Sequence, residues 1–548
     1  MKRLLTVLTG VLLMVSYHAE AADFETAKEA VKNMGVGWNL GNTLDANSGS
    51  AQGLESETYW GQPVTKPELM KMMKEAGFSA IRVPVTWYNH MDADGKVDEA
   101  WMKRVHEVVD YVINQGLYCI VNVHHDTGEG KQWLHASTKT YNSNKAKFES
   151  LWRQIANEFR DYDQHLLFEA YNEMLDDDNR WNEPGAQDGY DAINKYAKSF
   201  VTIVRGTGYN NKQRNLIVNT YSASSTPNAM KALELPESSE HIIFQIHSYP
   251  NWQNESNAKR EIDNLISNIK SNLLNRAPVI IGEYATFTTW PSTIDYYDTN
   301  RKVALYAMDY LVKQAKAAGI GTYYWMGLSD GASRSMPAFN QADLAQTLIN
   351  AYYGTTTGYK FPTEADYQTV YKVSYDSQWG ELFLYGDWNS TASLKTSEYS
   401  GIRVELDDDY SNKLQVKIYG DKKDASNYKE QYIGLESGTT TSTALFDAAQ
   451  VGSNVYRITL QTLDATPITA KVINATLLKK DGTETPGKIT VGWGCTVTTE
   501  STLISGIPAI QNNKPDDNDG AIYNLQGQRI SNPTKGIVIQ NGKKFVMK

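Results

Sequence analysis

Eight segments of this chain share one pattern, a near-continuous apolar run that ends in polar or aromatic residues. They are VGWNLGN (36–42), AIRVPVTW (80–87), YCIVNVHHD (118–126), LLFEAYNE (166–173), NLIVNTY (215–221), IIFQIHSYP (242–250), VIIGEYA (279–285) and GTYYWMGL (321–328). Apolar runs that do not alternate read as strands buried on both faces, the signature of a parallel sheet. Stretches of helical period separate them. In DEAWMKRVHEVVDYVINQG, Trp101, Val105, Val108 and Val112 share one helix face, and Gly116 stands at the C-terminal cap. RKVALYAMDYLVKQAKAAG repeats this design and ends at Gly319. Eight such β/α units within about 325 residues predict an α/β fold, a (β/α)8 TIM barrel over residues 22–358. The competing reading, an open doubly wound sheet, lacks the G-x-G-x-x-G expected after its first strand.

After residue 360 the period changes to two. In GIRVELD and KLQVKIYG, Ile402, Val404 and Leu406 share one face, as do Leu414, Val416 and Ile418. VYRITLQTL, AKVINATLL and KITVGW follow, parted by Gly, Asn, Asp and Ser. This predicts an antiparallel β-sandwich over residues 359–505. A polar linker over 506–520 leads to a short β tail over 521–548, in which Asn541-Gly542 reads as a hairpin turn.

The first 21 residues have a charged start (Lys2, Arg3), an apolar stretch over 4–15 and a small-x-small site at Ala19-Glu20-Ala21, the layout of a secretory signal peptide. A secreted chain is expected, extracellular or on the cell surface, without a membrane span. The two cysteines, Cys119 and Cys495, fall in different predicted domains and read as free buried thiols. A net charge of −10 argues against a nucleic-acid surface. The 34 Tyr and 13 Trp lean toward sugar recognition, since an aromatic face suits a pyranose.

The unusual residues gather at one end of the predicted strands: Asn42, Trp87, His124-His125-Asp126, Asn172-Glu173, His247 with Tyr249, Glu283 and Trp325. In a barrel these ends meet at one mouth, where active sites lie. Glu173 closes the fourth run and Glu283 the seventh, so their carboxyls are expected to face each other across the mouth. Two carboxyls about 5 Å apart are the arrangement of a retaining glycosidase. Repulsion between them lets one hold its proton near neutrality. Arg82 is placed to keep the nucleophile ionised or to pair with Glu169, which alternation puts deeper in the barrel. Asn172 suits a sugar 2-hydroxyl. His124, His125 and His247 suit substrate hydroxyls or the carboxylates, with the adjacent His124 and His125 pointing in opposite directions. Tyr249 and Tyr284 are candidates to bond the nucleophile. Trp87, Trp133, Trp181, Trp252 and Trp290 are candidate subsite aromatics. No His or Cys spacing fits a metal site, and no cofactor is expected.

GWNLGNTLDA, AIRVPVTW, VNVHHD, FEAYNE, HSYP and VIIGEYA, in this order over residues 25–355, resemble glycoside hydrolase family 5, the cellulase family, in its endoglucanase and xyloglucanase branch. The resemblance implies that Glu173 is the acid/base and Glu283 the nucleophile. It implies that Asn39, Arg82, His124, His125, Asn172, His247, Tyr249 and Trp325 bind substrate, Trp325 as a stacking platform. The family pattern has Pro after Asn-Glu, where this chain has Met174. The implied activity is a retaining endo-β-1,4-glucanase, a monomer acting on cellulose, xyloglucan or mixed-linkage glucan. Xylan or mannan as the main substrate, and a non-catalytic glycan-binding surface protein, are the alternatives. Beside such a barrel, the sandwich with Trp379, Trp388 and Trp493 looks like a carbohydrate-binding module, or else a spacer. Asp407-Asp408-Asp409 reads as a calcium site or a solvated loop. The tail resembles sorting signals of the type IX secretion system of Gram-negative bacteria.

Overall fold

The computed structural model describes residues 24–48, 53–128, 132–288, 294–424 and 427–504, and the backbone of four short strands between 522 and 547. The signal-like segment, Trp290, the linker and the Asn541-Gly542 turn lie outside the described residues. The chain divides into two units between Pro362 and Thr363.

In the first unit, eight parallel strands close into a barrel. They are β1 (Val36–Asn39), β2 (Ala80–Val83), β3 (Tyr118–Asn122), β4 (Leu166–Glu169), β5 (Leu216–Asn219), β6 (Ile242–Ser248), β7 (Val279–Tyr284) and β8 (Gly321–Tyr324). Each strand pairs with the next, and β8 returns to β1 with Val36 opposite Thr322. All eight apolar runs are therefore barrel strands. Most of the strands are shorter than the runs, so most of the polar ends fall in the loops that follow.

Alternation along the strands builds the barrel interior in layers. Ala80, Ile120, Leu167, Ile217, Ile243, Ile280 and Tyr323 form an apolar layer. Helix α1 (Ala27–Met34) adds Ala27, Ala30, Val31 and Met34 to the same cluster. It starts with a capping box between Thr26 and Glu29. Two residues further along β2 to β6, the next inward positions are all polar: Arg82, Asn122, Glu169, Asn219 and Gln245. Together with Asn39 of β1 they are fully buried. The outer face packs against helices such as Glu99–Ile113, which buries Trp101, Val105, Val108 and Val112. Helix Arg301–Ala318 ends at Gly319 with φ 73°, a conformation that favours glycine.

The second unit is built on two large antiparallel sheets. One runs Thr441–Leu445, Tyr399–Leu406, Ile468–Lys479, Tyr367–Tyr375, Cys495–Leu503, and the other Tyr428–Gly434, Leu414–Lys422, Arg457–Thr462, Glu381–Tyr385, Thr490–Val491. Ile402, Val404, Leu406, Leu414, Val416 and Ile418 lie in one core, as their alternation predicts. Among the tail strands, Gly536–Gln540 and Lys543–Met547 pair antiparallel with Gln540 opposite Lys543. Both cysteines are free and buried.

Candidate active site

A buried carboxylate needs a partner, and Glu169 has Arg82. Arg82 Nε donates to Glu169 Oε2 at 2.6 Å and Nη2 to Oε1 at 2.8 Å, a bidentate pair. The remaining donors continue upward. Nη1 reaches Asn39 Oδ1 at 2.9 Å and Glu283 Oε1 at 2.7 Å, and Nη2 reaches Asn172 Oδ1 at 2.8 Å. The guanidinium thus spends its whole donor set on four side chains from different barrel segments. Burial opposes its charge, but Glu169 and Glu283 more than restore it. Burial would likewise push Glu169 up, yet Arg82 holds it below the usual carboxylate range. Asn122 Nδ2 and Asn219 Nδ2 add bonds to Glu169 Oε1, each at 3.2 Å. The deeper acid is therefore a paired one, and Arg82 serves both carboxylates.

The two upper acids reach the mouth differently. Glu283 lies within β7, while β4 ends at Glu169 and Glu173 follows four residues later. The intervening segment stays ordered through Ala170 N–H to Ile217 O (3.0 Å) and Asn172 N–H to Val123 O (2.9 Å). Met174, where the family pattern has Pro, is fully buried and its main-chain carbonyl accepts from Ser222 N–H at 3.1 Å, so burial and a main-chain bond hold the turn. β4 and β7 are separated by β5 and β6 and are not opposite each other in the ring. The loop after β4 carries Glu173 the rest of the way. Oxygens of Glu173 and Glu283 and a ring nitrogen of His247 all lie within 4.8 Å of one another. His247 Nδ1 is 2.8 Å from Glu173 Oε1 and 3.5 Å from Glu283 Oε2.

Tyr249 donates its hydroxyl to Glu283 Oε2 at 2.7 Å. Burial and the two glutamates push that phenol well up, so it keeps its proton as a donor. Burial also pushes the Glu283 carboxyl up, with the Glu173 charge adding to it. His247, Arg82 and the Tyr249 bond pull it back without cancelling the rise. Arg82 thus acts on Glu283 in the direction expected, but burial has the larger effect.

His124 is held by its neighbours in one tautomer. Val85 N–H fixes Asn122 Oδ1 at 3.1 Å, so Asn122 Nδ2 is the donor to His124 Nδ1 at 3.0 Å. Burial, then His125 and Arg82, push His124 well below its usual value, so the ring is neutral with its proton on Nε2. Trp325 lies parallel to this ring, with centroids 5.7 Å apart.

Several expected contacts need correction. Asn39 and Arg82 are fully buried: Arg82 holds the carboxylates, and Asn39 accepts from Arg82 and donates to Gly282 O at 2.9 Å. His124 and His125 do not point apart. Their rings meet edge to face at 4.5 Å, and His125 is part-exposed, 3.6 Å from Asp45. Tyr284 is fully buried, its ring edge to face with that of Tyr324 at 5.6 Å. Trp87 and Trp252 are also fully buried, their indoles bonded to Asn122 O and Ala285 O, which makes them framework. Trp133 is part-buried and bonds Asp126 at 2.6 Å, while Trp181 is exposed. The pattern missed Trp60, which is exposed with its ring 5.2 Å from that of His125, because its loop has no periodicity to mark it. It also missed Asn122, Asn219 and Gln245, which counting two residues on from Ile120, Ile217 and Ile243 would have placed beside Glu169.

This geometry has relatives. Residues 44–330 match the family model described as cellulase (glycosyl hydrolase family 5). Endoglucanase B of Neocallimastix patriciarum is 35% identical over 340 residues, covering 58% of this chain and 69% of that protein. Endoglucanase A of Ruminococcus albus is 36% identical over 318 residues, covering 55% and 83%. Among solved structures, a GH5-4 broad specificity endoglucanase from an uncultured bacterium is 52% identical with a TM-score of 0.59, covering 61% of this chain and 97% of that one. A family 5 enzyme from Prevotella bryantii B14, in complex with a xyloglucan tetradecasaccharide, is 43% identical with a TM-score of 0.58, covering 61% and 99%. The chain belongs to glycosyl hydrolase family 5, the cellulase family, and is a glycoside hydrolase.

Proposed function

We propose that the protein is a retaining endo-β-1,4-glucanase that cuts internal bonds of cell-wall β-glucans, with Glu173 as acid/base and Glu283 as nucleophile. The observation that carries this reading is the spacing of the two carboxyls, with oxygens within 4.8 Å. A retaining pair stands about 5–5.5 Å apart, whereas an inverting pair leaves about 6.5–9.5 Å for a water. In the first step a Glu283 oxygen bonds to the anomeric carbon as the glycosidic C–O bond breaks, and Glu173 gives its proton to the leaving oxygen. In the second step Glu173 takes a proton from water, whose oxygen bonds to the same carbon and releases Glu283. Asn172, its oxygen held by Arg82, offers its NH2 to the 2-hydroxyl. Trp325 and Trp60 stand where sugar faces can stack. Xyloglucan is the substrate to try first, because a 43% identical enzyme was solved with a xyloglucan chain. Cellulose, mixed-linkage glucan, xylan and mannan complete the panel.

The test is azide rescue of Glu173→Ala together with the loss of turnover in Glu283→Ala. A β-glycosyl azide from the first variant on an aryl β-glycoside with a good leaving group, and no turnover from the second on soluble glucan, are expected. An α-azide product, or wild-type turnover in either variant, would overturn the assignment, and no turnover by the unmutated chain on any glucan would favour a glycan-binding surface protein.

A second reading concerns the sandwich, which we infer binds glycan. Its support is a pair of exposed indoles, Trp379 and Trp493, on touching loops: Glu381 N–H donates to Trp493 O at 2.7 Å. Trp379 has φ 66°, a conformation that costs a bulky residue about 1–3 kcal/mol and is kept mostly at functional sites. Trp379→Ala/Trp493→Ala in the full chain is expected to bind insoluble cellulose more weakly at unchanged turnover on soluble glucan. Unchanged binding would make the sandwich a spacer. Secretion, guided by the N-terminal segment and the tail, belongs to the same proposal. It is checked by whether full-length enzyme reaches the medium and the tailless enzyme does not.

A further inference from the structure

Tyr249 donates to Glu283 Oε2, and the direction of its phenol needs a cause. The barrel ladder does not supply one. β6 ends at Ser248, so Tyr249 stands just past it, and Pro250 after it has no N–H to bond. The side chain is half-buried and lies against Phe287. Their ring centroids are 5.2 Å apart and their planes 20° from parallel, within the stacked range that aromatic pairs prefer. Among the described residues, Phe287 is the one aromatic ring stacked on Tyr249.

Phe287 itself is fixed from behind. It opens a short strand, Phe287–Thr288, which pairs antiparallel with Ile294–Asp295 and sets Phe287 opposite Asp295. Asp295 Oδ1 accepts from Thr286 Oγ1 at 2.8 Å and from Tyr297 N–H at 2.9 Å. Tyr296 N–H donates to Thr286 O at 3.1 Å. The residue before Phe287 is therefore tied through its side chain and its carbonyl to the far arm of the same hairpin. Phe287 also follows Glu283 by only four residues. One segment, β7 and the loop after it, carries the nucleophile and the ring that backs the nucleophile's donor.

We propose that Phe287 is a positioning residue for Glu283 that acts through Tyr249: its flat face stops the phenol from swinging to that side and keeps the hydroxyl on Glu283 Oε2. This rests on the reading of Glu283 as nucleophile given above. The bond from Tyr249 favours the ionised carboxylate, which is the form that attacks. The other groups that face Glu283 are Arg82 of β2, His247 of β6 and Glu173 of the loop after β4, and a change at position 287 alters none of them chemically.

A double-mutant cycle in the full chain tests this, with wild type, Phe287→Ala, Tyr249→Phe and the double variant each shown to be folded at the assay temperature. Phe287→Ala is expected to lower kcat/KM on soluble glucan about three- to tenfold, the range that one stacked pair is worth. It is also expected to move the acid limb to higher pH, in the same direction as Tyr249→Phe and by less. With the hydroxyl gone, Phe287 has nothing left to aim. Adding Phe287→Ala to Tyr249→Phe should therefore leave the limb where Tyr249→Phe puts it and cost less than about twofold more. Phe287→Tyr keeps the flat face and should keep the wild-type limb. A wild-type acid limb in Phe287→Ala would overturn the proposal. So would an equal fold-loss in both backgrounds, since the ring would then act independently of the hydroxyl. A Phe287→Tyr enzyme with the limb of Phe287→Ala would overturn it as well. Should Phe287→Ala fail to fold, Phe287→Leu, apolar but without a flat face, takes its place in the same cycle. Glu283→Ala separates the two layers. If it keeps its turnover on glucan, the nucleophile assignment fails. If it is inactive and Phe287→Ala has the wild-type limb, only the role of Phe287 fails.

Discussion

Replacing Glu169 by Gln keeps the volume of the side chain and removes its charge, at a site with no exposure to water. Two charge-assisted bonds from Arg82, at 2.6 and 2.8 Å, lose their carboxylate. One of them then faces an NH2 group, donor against donor. Hydrogen bonds to charged groups are worth about 1.5–3 kcal/mol each, which sums to about 3–6 kcal/mol. Breaking one partner of a buried pair costs about 3–5 kcal/mol by the separate route of direct measurement on other proteins. A loss near 4 kcal/mol, roughly, is therefore expected against a total stability of about 5–15 kcal/mol, so the barrel should still fold. The pH dependence supplies a sharper check. Arg82 lowers the Glu169 carboxyl below its ordinary 4.5 in the folded state. Its contribution is then complete above that value and disappears as pH falls through the folded value. Urea unfolding of the barrel, followed by tryptophan fluorescence at neutral pH and again near pH 3, should show a large difference between wild type and variant that shrinks in acid. A difference under about 1 kcal/mol at neutral pH, or one of equal size at both, would refute the pairing as the source of stability. The variant has a second expected effect. With Glu169 neutral, the Arg82 charge serves Glu283 alone, so the acid limb of kcat/KM should move to lower pH.

Tyr249→Phe removes the 2.7 Å bond to Glu283; turnover should fall about 10- to 100-fold, and the acid limb should move to higher pH because the bond favours the ionised carboxylate. Gly41→Ala places a Cβ 2.9 Å from the Trp325 ring and should tilt the indole, raising KM for soluble glucan roughly three- to tenfold with kcat nearly kept; an unchanged KM would remove Trp325 from the stacking role. The native protein should leave a thiol reagent unreacted and titrate two thiols only in denaturant, since Cys119 and Cys495 are both buried and burial pushes their thiols up.

The barrel was legible because its eight strands are buried on both faces, which makes each of them a solid apolar run. The polar ends of those runs located the mouth, and the spacing of Asn172, Glu173 and Glu283 located the acids. Three kinds of detail were not legible. The strand boundary at Glu169 was hidden, because the segment to Glu173 stays extended without regular pairing. The polar interior layer was hidden in plain residues: Asn122, Asn219 and Gln245 look like strand ends until alternation puts them beside Glu169. The aromatics were ambiguous because burial and stacking use the same side chain. Trp87 and Trp252 turned out to be framework, while Trp60, in a loop with no pattern, lies against His125.

One strand and the loop after it carry two glutamates with opposite fates, and depth alone separates them. Glu169 sits where every neighbour is fixed, and Arg82 keeps it ionised. Glu173 stands one layer higher with its side chain 21% exposed, which suits the acid/base role proposed for it, since a proton there has access to solvent. The cation between the layers has to reach acids from β4 and β7 and amides from β1 and the β4 loop at once. A lysine ammonium is a point with three donors on a flexible stem and cannot span them; the planar guanidinium, with five donors in fixed directions, can. Arg82→Lys should therefore resemble loss of the charge more than its conservation. Glu169 would keep a partner only by taking it from Glu283, and the variant should lose turnover even where it still folds. A folded Arg82→Lys enzyme with wild-type kcat would mean that charge alone, and not the fork, organises the two layers.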